Sequence, residues 1–164
     1  MRSDKIQDRE TLSAILEKKR QDGHAIVFTN GCFDLLHAGH VRYLNAARKQ
    51  GDLLVVGLNS DASVHAIKGE KRPIVPQQQR AEVLAALECV DYVSIFDEHD
   101  PLLLIQSLKP HVLVKGADWA EKDIIGGDFV KSIGGRVERI HLVPGASTTA
   151  IIERILHLNQ KERY

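Results

Sequence analysis

The chain has 164 residues with 22 Lys and Arg against 22 Asp and Glu, so its formal net charge is zero, and 43% of its residues are hydrophobic. This length fits one domain of roughly 100–200 residues, and the balanced charge excludes binding of nucleic acid or acidic membranes through bulk positive charge. Two cysteines exclude a disulfide scaffold, and the absence of a signal peptide and of a roughly 20-residue apolar span predicts a cytoplasmic protein.

Short apolar runs alternate with helical patterns along the chain. The first pattern, over residues 6–20, carries Leu12, Ile15 and Leu16 at helical spacing and predicts an amphipathic leader helix. The apolar runs after it predict buried strands at residues 25–29, 53–58, 92–96, 112–115 and 137–143. Helical spacing and capping signals predict helices at residues 38–50, 78–88, 101–108, 129–133 and 148–158.

Strands with little internal alternation, each separated by a helix, indicate a parallel sheet covered on both faces. We therefore predict an α/β fold, a doubly wound five-stranded parallel sheet, in a single domain over residues 1–164. Its parts are the leader at residues 1–22 and a core at residues 25–156. In such sheets the ligand binds beyond the carboxyl ends of the strands, near the switch point.

The turn after the first predicted strand, residues 29–40, holds two histidines three positions apart where a helix begins. Gly39 between His37 and His40 lets a bulky ligand approach the backbone, and the free N–H groups of a helix start favour an anion. Two imidazoles there can donate hydrogen bonds to charge that develops on a phosphate. The alternative is a pair of surface or capping histidines. Zinc is a weaker alternative, because no familiar ligand spacing surrounds the pair.

A second polar segment opens the last predicted helix. Ser147, a plausible N-cap, is followed by Thr148 and Thr149, so hydroxyl and N–H groups converge on one helix start. The alternative is an ordinary helix cap. Residues 68–73 form a cationic loop that contains a glycine, and taken alone such a loop is usually a solvated charge run.

Other polar residues close the second and fourth strands. Asn59 and Asp61 follow the second strand, and residues 115–119 end the fourth, where Trp119 either stacks on a base or covers a hydrophobic edge. Arg80 opens a predicted helix. Taken alone, it is as well explained by a surface arginine that forms a salt bridge. Cys32 lies in the first turn without an identifiable base, which argues against a nucleophilic role.

Residues 31–34 followed by residues 37–40 resemble the signature of the cytidylyltransferase-like nucleotidyltransferases, and the resemblance covers roughly residues 25–156. That superfamily joins a nucleoside triphosphate to a phosphorylated metabolite and releases pyrophosphate. Longer stretches at residues 28–34, 80–87, 113–118 and 142–145 resemble the bacterial heptose-1-phosphate adenylyltransferases. Leu142 and Val143 stand where glycerol-phosphate and choline-phosphate cytidylyltransferases carry an Arg-Thr pair. Either Lys115 or another cation supplies the missing phosphate donor, or the nucleotide is held in a different way.

The resemblance implies roles for particular residues. It implies that the catalytic residues are His37, His40 and Lys68. It also implies that one or two lysines of the 68–73 loop neutralise phosphates, and of these we prefer Lys68 to Lys71. It implies that the nucleotide is bound by Cys32, Phe33, Gly39, Lys115, Gly116, Asp118, Gly145, Ser147, Thr148 and Thr149. It implies that the acceptor substrate is bound by Asp34, Asn59, Asp61, Lys71 and Arg80, and that Arg80 helps to fix this region.

The implied reaction is in-line transfer from ATP, with Mg²⁺, to D-glycero-β-D-manno-heptose 1-phosphate, giving ADP-heptose for the lipopolysaccharide inner core. No dedicated metal ligands are readable. The alternatives are a cytidylyltransferase for an alcohol phosphate such as glycerol 3-phosphate, and a nucleotide-binding regulatory module without turnover. The resemblance also implies a homo-oligomer, a dimer or tetramer. Because 164 residues are too few to include a sugar kinase, we expect a separate one upstream.

Overall fold

The computed structural model describes residues 4–141 and 147–161, which form an α/β fold around one five-stranded sheet. The strands are β1 (Ile26–Gly31), β2 (Leu53–Asn59), β3 (Tyr92–Phe96), β4 (Val112–Gly116) and β5 (Arg136–Ile140). The helices are α1 (Arg9–Gln21), α2 (Ala38–Arg48), α3 (Asp61–Lys68), α4 (Gln77–Ala85), α5 (Leu102–Leu108), α6 (Gly127–Ser132) and α7 (Thr148–Lys161), with a 3₁₀ turn at Glu121–Asp123.

The sheet has the strand order β3-β2-β1-β4-β5, and every neighbouring pair is parallel. This confirms the predicted doubly wound five-stranded parallel sheet. The chain winds from β1 outward to β3 and then crosses back to β4 on the other side of β1. The switch point therefore lies between β1 and β4, which is where such folds open a crevice for a ligand.

The core lies on both faces of the sheet. Consecutive strand residues point to opposite faces, so Val27 belongs to one apolar cluster and Phe28 to the other. Leu12 and Leu16 of α1 are fully buried in the second cluster. The apolar face of the leader helix therefore packs back onto the domain, and burial of each such side chain contributes about 1.5–3 kcal/mol.

Most predicted elements have boundaries that differ from the structure by one to three residues, and α1 and α4 are two examples. Helix α1 begins at Arg9, because Asp8 is its N-cap and accepts a hydrogen bond from the Thr11 N–H. Ile6, predicted as helical, instead forms a parallel bridge with Val93 at the outer edge of β3. Helix α4 ends at Ala85, three residues before the predicted end.

Two further differences concern polar segments. Helix α3 is absent from the predicted elements, among which Asn59 and Asp61 only close the second strand. In the structure Ser60 caps the helix by accepting from the Ser63 N–H. Strand β5 ends at Ile140, whereas the predicted strand ran to residue 143, of which residues 142 and 143 lie outside the described residues. Within the described ranges, no helix combines the length and apolar character that a membrane span requires.

Candidate functional site

A cavity of about 660 Å³ lies at the carboxyl edge of the sheet, where the fold predicts a ligand site. Its walls come from the segments that follow four strands and from the starts of α2 and α7. The predicted site residues that line it are Cys32, Phe33, Asp34, His37, Gly39, His40, Asn59, Lys68, Lys115, Gly116, Asp118, Ser147, Thr148 and Thr149. Three others, Asp61, Lys71 and Arg80, are not among its lining residues, and Gly145 lies outside the described residues.

The two histidines form a stacked pair at the start of α2. Their ring centroids are 3.9 Å apart with an interplanar angle of 27°, and the Phe33 ring meets His40 edge-on with a centroid distance of 5.4 Å. His37 occupies the N-cap position but makes no capping hydrogen bond with its side chain. Both Nδ1 atoms are buried, and among residues 4–141 and 147–161 neither has a hydrogen-bond partner. Buried polar atoms are normally paired, so this arrangement suits a polar ligand better than a structural cap.

The protonation of His40 follows from its surroundings. Burial, with a smaller contribution from the neighbouring His37, lowers the pKa of His40 to about 4. His40 is therefore neutral at pH 7, and one ring nitrogen carries a hydrogen while the other is an acceptor. A neutral imidazole at a helix N-terminus can donate to an oxyanion, and the helix dipole adds partial positive charge at the same place.

Lys115 supplies a cation at the end of β4. Its Nζ donates to the Asn30 side-chain oxygen over 2.6 Å and lies 5.8 Å from the ring centroid of Trp119. Burial lowers the pKa of Lys115 to about 8, although the nearby Cys32 and Asp118 favour its charged form. The ammonium thus remains largely charged at neutral pH in a partly desolvated place, where its attraction to phosphate is strong.

The start of α7 joins the loop that follows β1. Ser147 is the N-cap, as predicted, because its Oγ accepts from the Ala150 N–H over 3.1 Å. The Thr148 hydroxyl donates to the Leu35 carbonyl over 3.2 Å, which ties this helix start to the loop before the histidines. Two helix N-termini, those of α2 and α7, therefore border one cavity, a placement that favours an anion.

Asp34 anchors the segment that follows α3. Its buried carboxylate accepts from Arg72 Nε over 2.6 Å and from the N–H groups of Ile74 and Val75 over 2.9 Å. Burial acts to raise the pKa of Asp34, but these hydrogen bonds and the Arg72 charge outweigh it and hold the pKa below its usual range. The carboxylate oxygens of Asp34 thus accept hydrogen bonds from within the protein, although the carboxylate also borders the cavity.

The predicted cationic loop is divided between two elements. Lys68 is the last residue of α3 rather than a loop residue, and it lines the cavity, whereas Lys71 is exposed outside it. Of the two lysines, the structure places the preferred one, Lys68, next to the candidate site.

Arg80 lies below the cavity and is fully buried. Its guanidinium donates to the carbonyls of Cys32, Asn59 and Val75 and pairs with Asp61 over 2.7 Å. The ion pair with Asp61 fits the hypothesis of a salt-bridged arginine, but the side chain of Arg80 is buried and does not lie at the surface. Arg80 joins three loops of the site from beneath, so we interpret it and Asp61 as positioning residues.

Sequence reasoning left several lining residues out. They are Asn30, Tyr43, Ile67, Arg72, His99, Asp100, Pro101, Ile124 and Ile125. His99 and Asp100 follow β3, so the rule that ligands bind beyond the carboxyl ends of strands could have found them. Across residues 4–141 and 147–161, no group of three His, Cys, Asp or Glu side chains is arranged to hold a metal ion.

Comparisons with known proteins show which family the chain resembles. The family model for cytidylyltransferase-like proteins matches residues 28–155. The bifunctional protein HldE of Pelobacter propionicus is 58% identical over 160 residues, which are 98% of this chain and 32% of that protein. The chain thus spans about a third of the length of the curated relatives it matches.

Two solved structures are similar. A lipopolysaccharide core biosynthesis protein from Thermoplasma volcanium superposes with a TM-score of 0.61 and 28% identity, covering 74% of this chain and 98% of that one. Pantoate–β-alanine ligase from Francisella tularensis superposes with a TM-score of 0.56 over 89% of this chain and 74% of that one. At 16% identity, this second similarity concerns the fold alone.

Proposed function

Because the chain belongs to the cytidylyltransferase-like family, we propose that it is a nucleotidyltransferase that joins ATP to D-glycero-β-D-manno-heptose 1-phosphate, giving ADP-heptose and pyrophosphate. The observation that carries this proposal is the stacked pair of His37 and His40 at a helix start inside the cavity, where their Nδ1 atoms have no partner among the residues that the structure describes. The 58% identity to a bifunctional protein HldE and the likeness to a lipopolysaccharide core biosynthesis protein support this choice of acceptor.

The proposed reaction is an in-line displacement at phosphorus. An oxygen of the sugar phosphate attacks the α-phosphorus of ATP, the bond from that phosphorus to the bridging oxygen breaks, and pyrophosphate leaves with its electron pair. Such reactions need positioning and charge stabilisation more than covalent chemistry from the protein. His37 and His40 donate hydrogen bonds to the transferring phosphate, and Lys68 and Lys115 balance its negative charge.

The two helix starts divide the nucleotide between them in this proposal. The N-terminus of α2 receives the α-phosphate, and Ser147, Thr148 and Thr149 at α7 receive the β- and γ-phosphates. Mg²⁺ accompanies ATP and adds charge neutralisation at the triphosphate. Because the described residues offer no cluster of three ligands, we assign its coordination mainly to phosphate oxygens and water, as is usual for Mg²⁺ with nucleotides.

The wider setting is part of the same proposal. We place the reaction in the cytoplasm, where ATP is available, and assign the chain to a single domain that assembles as a homo-oligomer. An anomeric sugar phosphate must be made by a phosphorylating enzyme, so a sugar kinase acts upstream.

The experiment that tests the proposal measures pyrophosphate release with Mg²⁺ for ATP or CTP, each combined with heptose 1-phosphate or glycerol 3-phosphate. We expect release with ATP and heptose 1-phosphate only. Release with CTP and glycerol phosphate only would replace the substrates and favour the alcohol-phosphate cytidylyltransferase. Nucleotide binding by calorimetry without pyrophosphate release from any combination would favour the regulatory module.

A further inference from the structure

The central strands of the sheet separate just below the cavity. The β1–β4 ladder contains Val27 with Val112 and Phe28 with Leu113 and then ends, whereas the β1–β2 ladder continues to the end of β1. Past this point, side chains connect the two strands. The Tyr43 hydroxyl from α2 lies 2.8 Å from the Thr29 hydroxyl and donates to the Val114 carbonyl over 3.2 Å.

Tyr43 is suited to this position because it stays protonated. Burial raises the pKa of Tyr43 to about 12, even though the hydrogen bond with Thr29 acts in the opposite direction. Its O–H therefore supplies a donor to the Val114 carbonyl, which lies beyond the last paired residues of the β1–β4 ladder. Both strand ends are thus held in fixed positions although the backbone ladder between them has stopped.

One residue further on, the connection is made by Asn30 and Lys115. The offset of 85 residues between Val27 and Val112 also separates these two, so they face each other across the gap. The Asn30 oxygen accepts the 2.6 Å hydrogen bond from Lys115 Nζ, and both residues line the cavity. On the other side of Asn30, a Cβ at Gly57 would lie 3.2 Å from the Asn30 Cβ, so the glycine leaves room for this side chain.

We propose that Asn30 is a positioning residue that holds the Lys115 ammonium, in its charged form, on the floor of the cavity for the phosphates of the bound nucleotide. This inference rests on the proposed function, which places a nucleotide in the cavity. Lys115 has a flexible four-carbon stem, and its charge is compact and strongly hydrated. A fixed acceptor from β1 replaces part of that hydration and selects one position of the stem.

The hydrogen bond predicts how the charge of Lys115 responds to substitution. A hydrogen bond to the charged form favours that form, and burial opposes it. The groups that act on Lys115 are Cys32, after β1, and Asp118, after β4, and both favour the ammonium. The cavity residues Lys68, Arg72, His37 and His40 lie on other segments and stay unchanged in the variants below.

The first measurement is the pKa of Lys115, obtained from an NMR titration of protein labelled with ¹³C at lysine Cε. The Lys115 signal is assigned by comparison with Lys115→Arg. Asn30→Leu keeps the size but removes the acceptor, so we expect the pKa to fall by about one unit. Asn30→Asp keeps an acceptor and adds a negative charge, so the pKa should rise by about one unit. The matched control, Asn45→Leu on the exposed face of α2, should leave it unchanged.

Opposite shifts in the two variants support the proposal, because loss of packing alone would not move the pKa in two directions. An unchanged pKa in both variants, or a shift of the same sign in both, overturns it. If Asn30→Leu does not fold, as judged by circular dichroism, Asn30→Ala takes its place with the same expected fall in the pKa of Lys115.

The second measurement is the pH dependence of pyrophosphate release from ATP. Wild-type kcat/KM should decline above about pH 8, and this decline should begin at lower pH in Asn30→Leu and at higher pH in Asn30→Asp. Lys115→Arg should show no such decline up to about pH 10, because arginine stays charged. If the pKa of Lys115 shifts as expected in the Asn30 variants but the wild type releases no pyrophosphate, the proposed function is overturned and the Asn30–Lys115 coupling stands. If the wild type releases pyrophosphate but the pKa of Lys115 does not shift, the coupling is overturned and the proposed function stands.

Discussion

Replacement of Arg80 by methionine should destabilise the floor of the cavity rather than remove a substrate contact alone. The guanidinium of Arg80 is fully buried and joins Cys32, Asn59, Asp61 and Val75, which belong to three separate segments. Methionine retains much of the apolar stem but none of the donors. The variant therefore leaves these acceptors without their partner while it fills most of the space.

The magnitude follows from where the acceptors lie. The carbonyls of Cys32 and Asn59 lose a charged donor inside the protein, and an unsatisfied buried acceptor costs about 1–3 kcal/mol. The Asp61 side chain is 39% exposed, so water can replace its partner at small cost. We expect a loss of about 4 kcal/mol in the free energy of unfolding, a large share of the typical total of about 5–15 kcal/mol.

The assay is urea unfolding followed by far-ultraviolet circular dichroism, with the slope of the transition compared between proteins. Arg136→Met is the matched control, because Arg136 forms an exposed ion pair with Glu138, and such pairs contribute about 0–1 kcal/mol. If Arg80→Met lost less than about 1 kcal/mol, or no more than the control, the reasoning would be refuted. A raised KM for the sugar phosphate at unchanged stability would restore the hypothesis of a direct substrate contact.

Three further predictions concern the catalytic pair, the buried carboxylate and the assembly. His37→Ala and His40→Ala should each lower kcat by about 10²–10³-fold with an unchanged melting temperature, and wild-type turnover in both would remove their catalytic role. The pKa of Asp34 is lowered in the fold, so its stabilising effect is present above the ordinary carboxylate pKa and lost as pH falls through the lowered value. Unfolding measured between pH 3 and about pH 6 should therefore show a weaker pH dependence in Asp34→Asn than in wild type, and equal dependence would contradict this. Light scattering should give at least twice the 18.3 kDa chain mass, and a monomer would exclude the homo-oligomer.

The sheet could be predicted because its interior strands bury side chains on both faces and therefore appear as continuous apolar runs. Helix α3 could not be predicted in the same way, because only Ser63 and Val64 of its eight residues are buried. Such a short helix shows little apolar periodicity, and its polar cap resembles a turn. The place of Lys68 at the end of that helix consequently became visible only in the structure.

The candidate site was predictable where it lies within one turn, and less so where it joins distant segments. The spacing of His37 and His40 is local, so the sequence predicts that they lie at one helix start. Arg72 is 38 residues from Asp34, and Lys115 is 85 residues from Asn30. Such pairs depend on which strands are neighbours and in what register, and apolar runs alone leave the strand order open.

The strand order also explains why the cavity exists between β1 and β4. Paired strands lie about 4.8 Å apart, so a ladder continued past Phe28 would bring these two backbones together where the cavity floor lies. Tyr43 and the Asn30–Lys115 pair hold the strand ends in place past that point. The residues that keep the crevice in shape thus lie beside those predicted to bind phosphate. Substitutions at Tyr43 or Asn30 should consequently alter activity, although neither residue lies within residues 31–34 or 37–40.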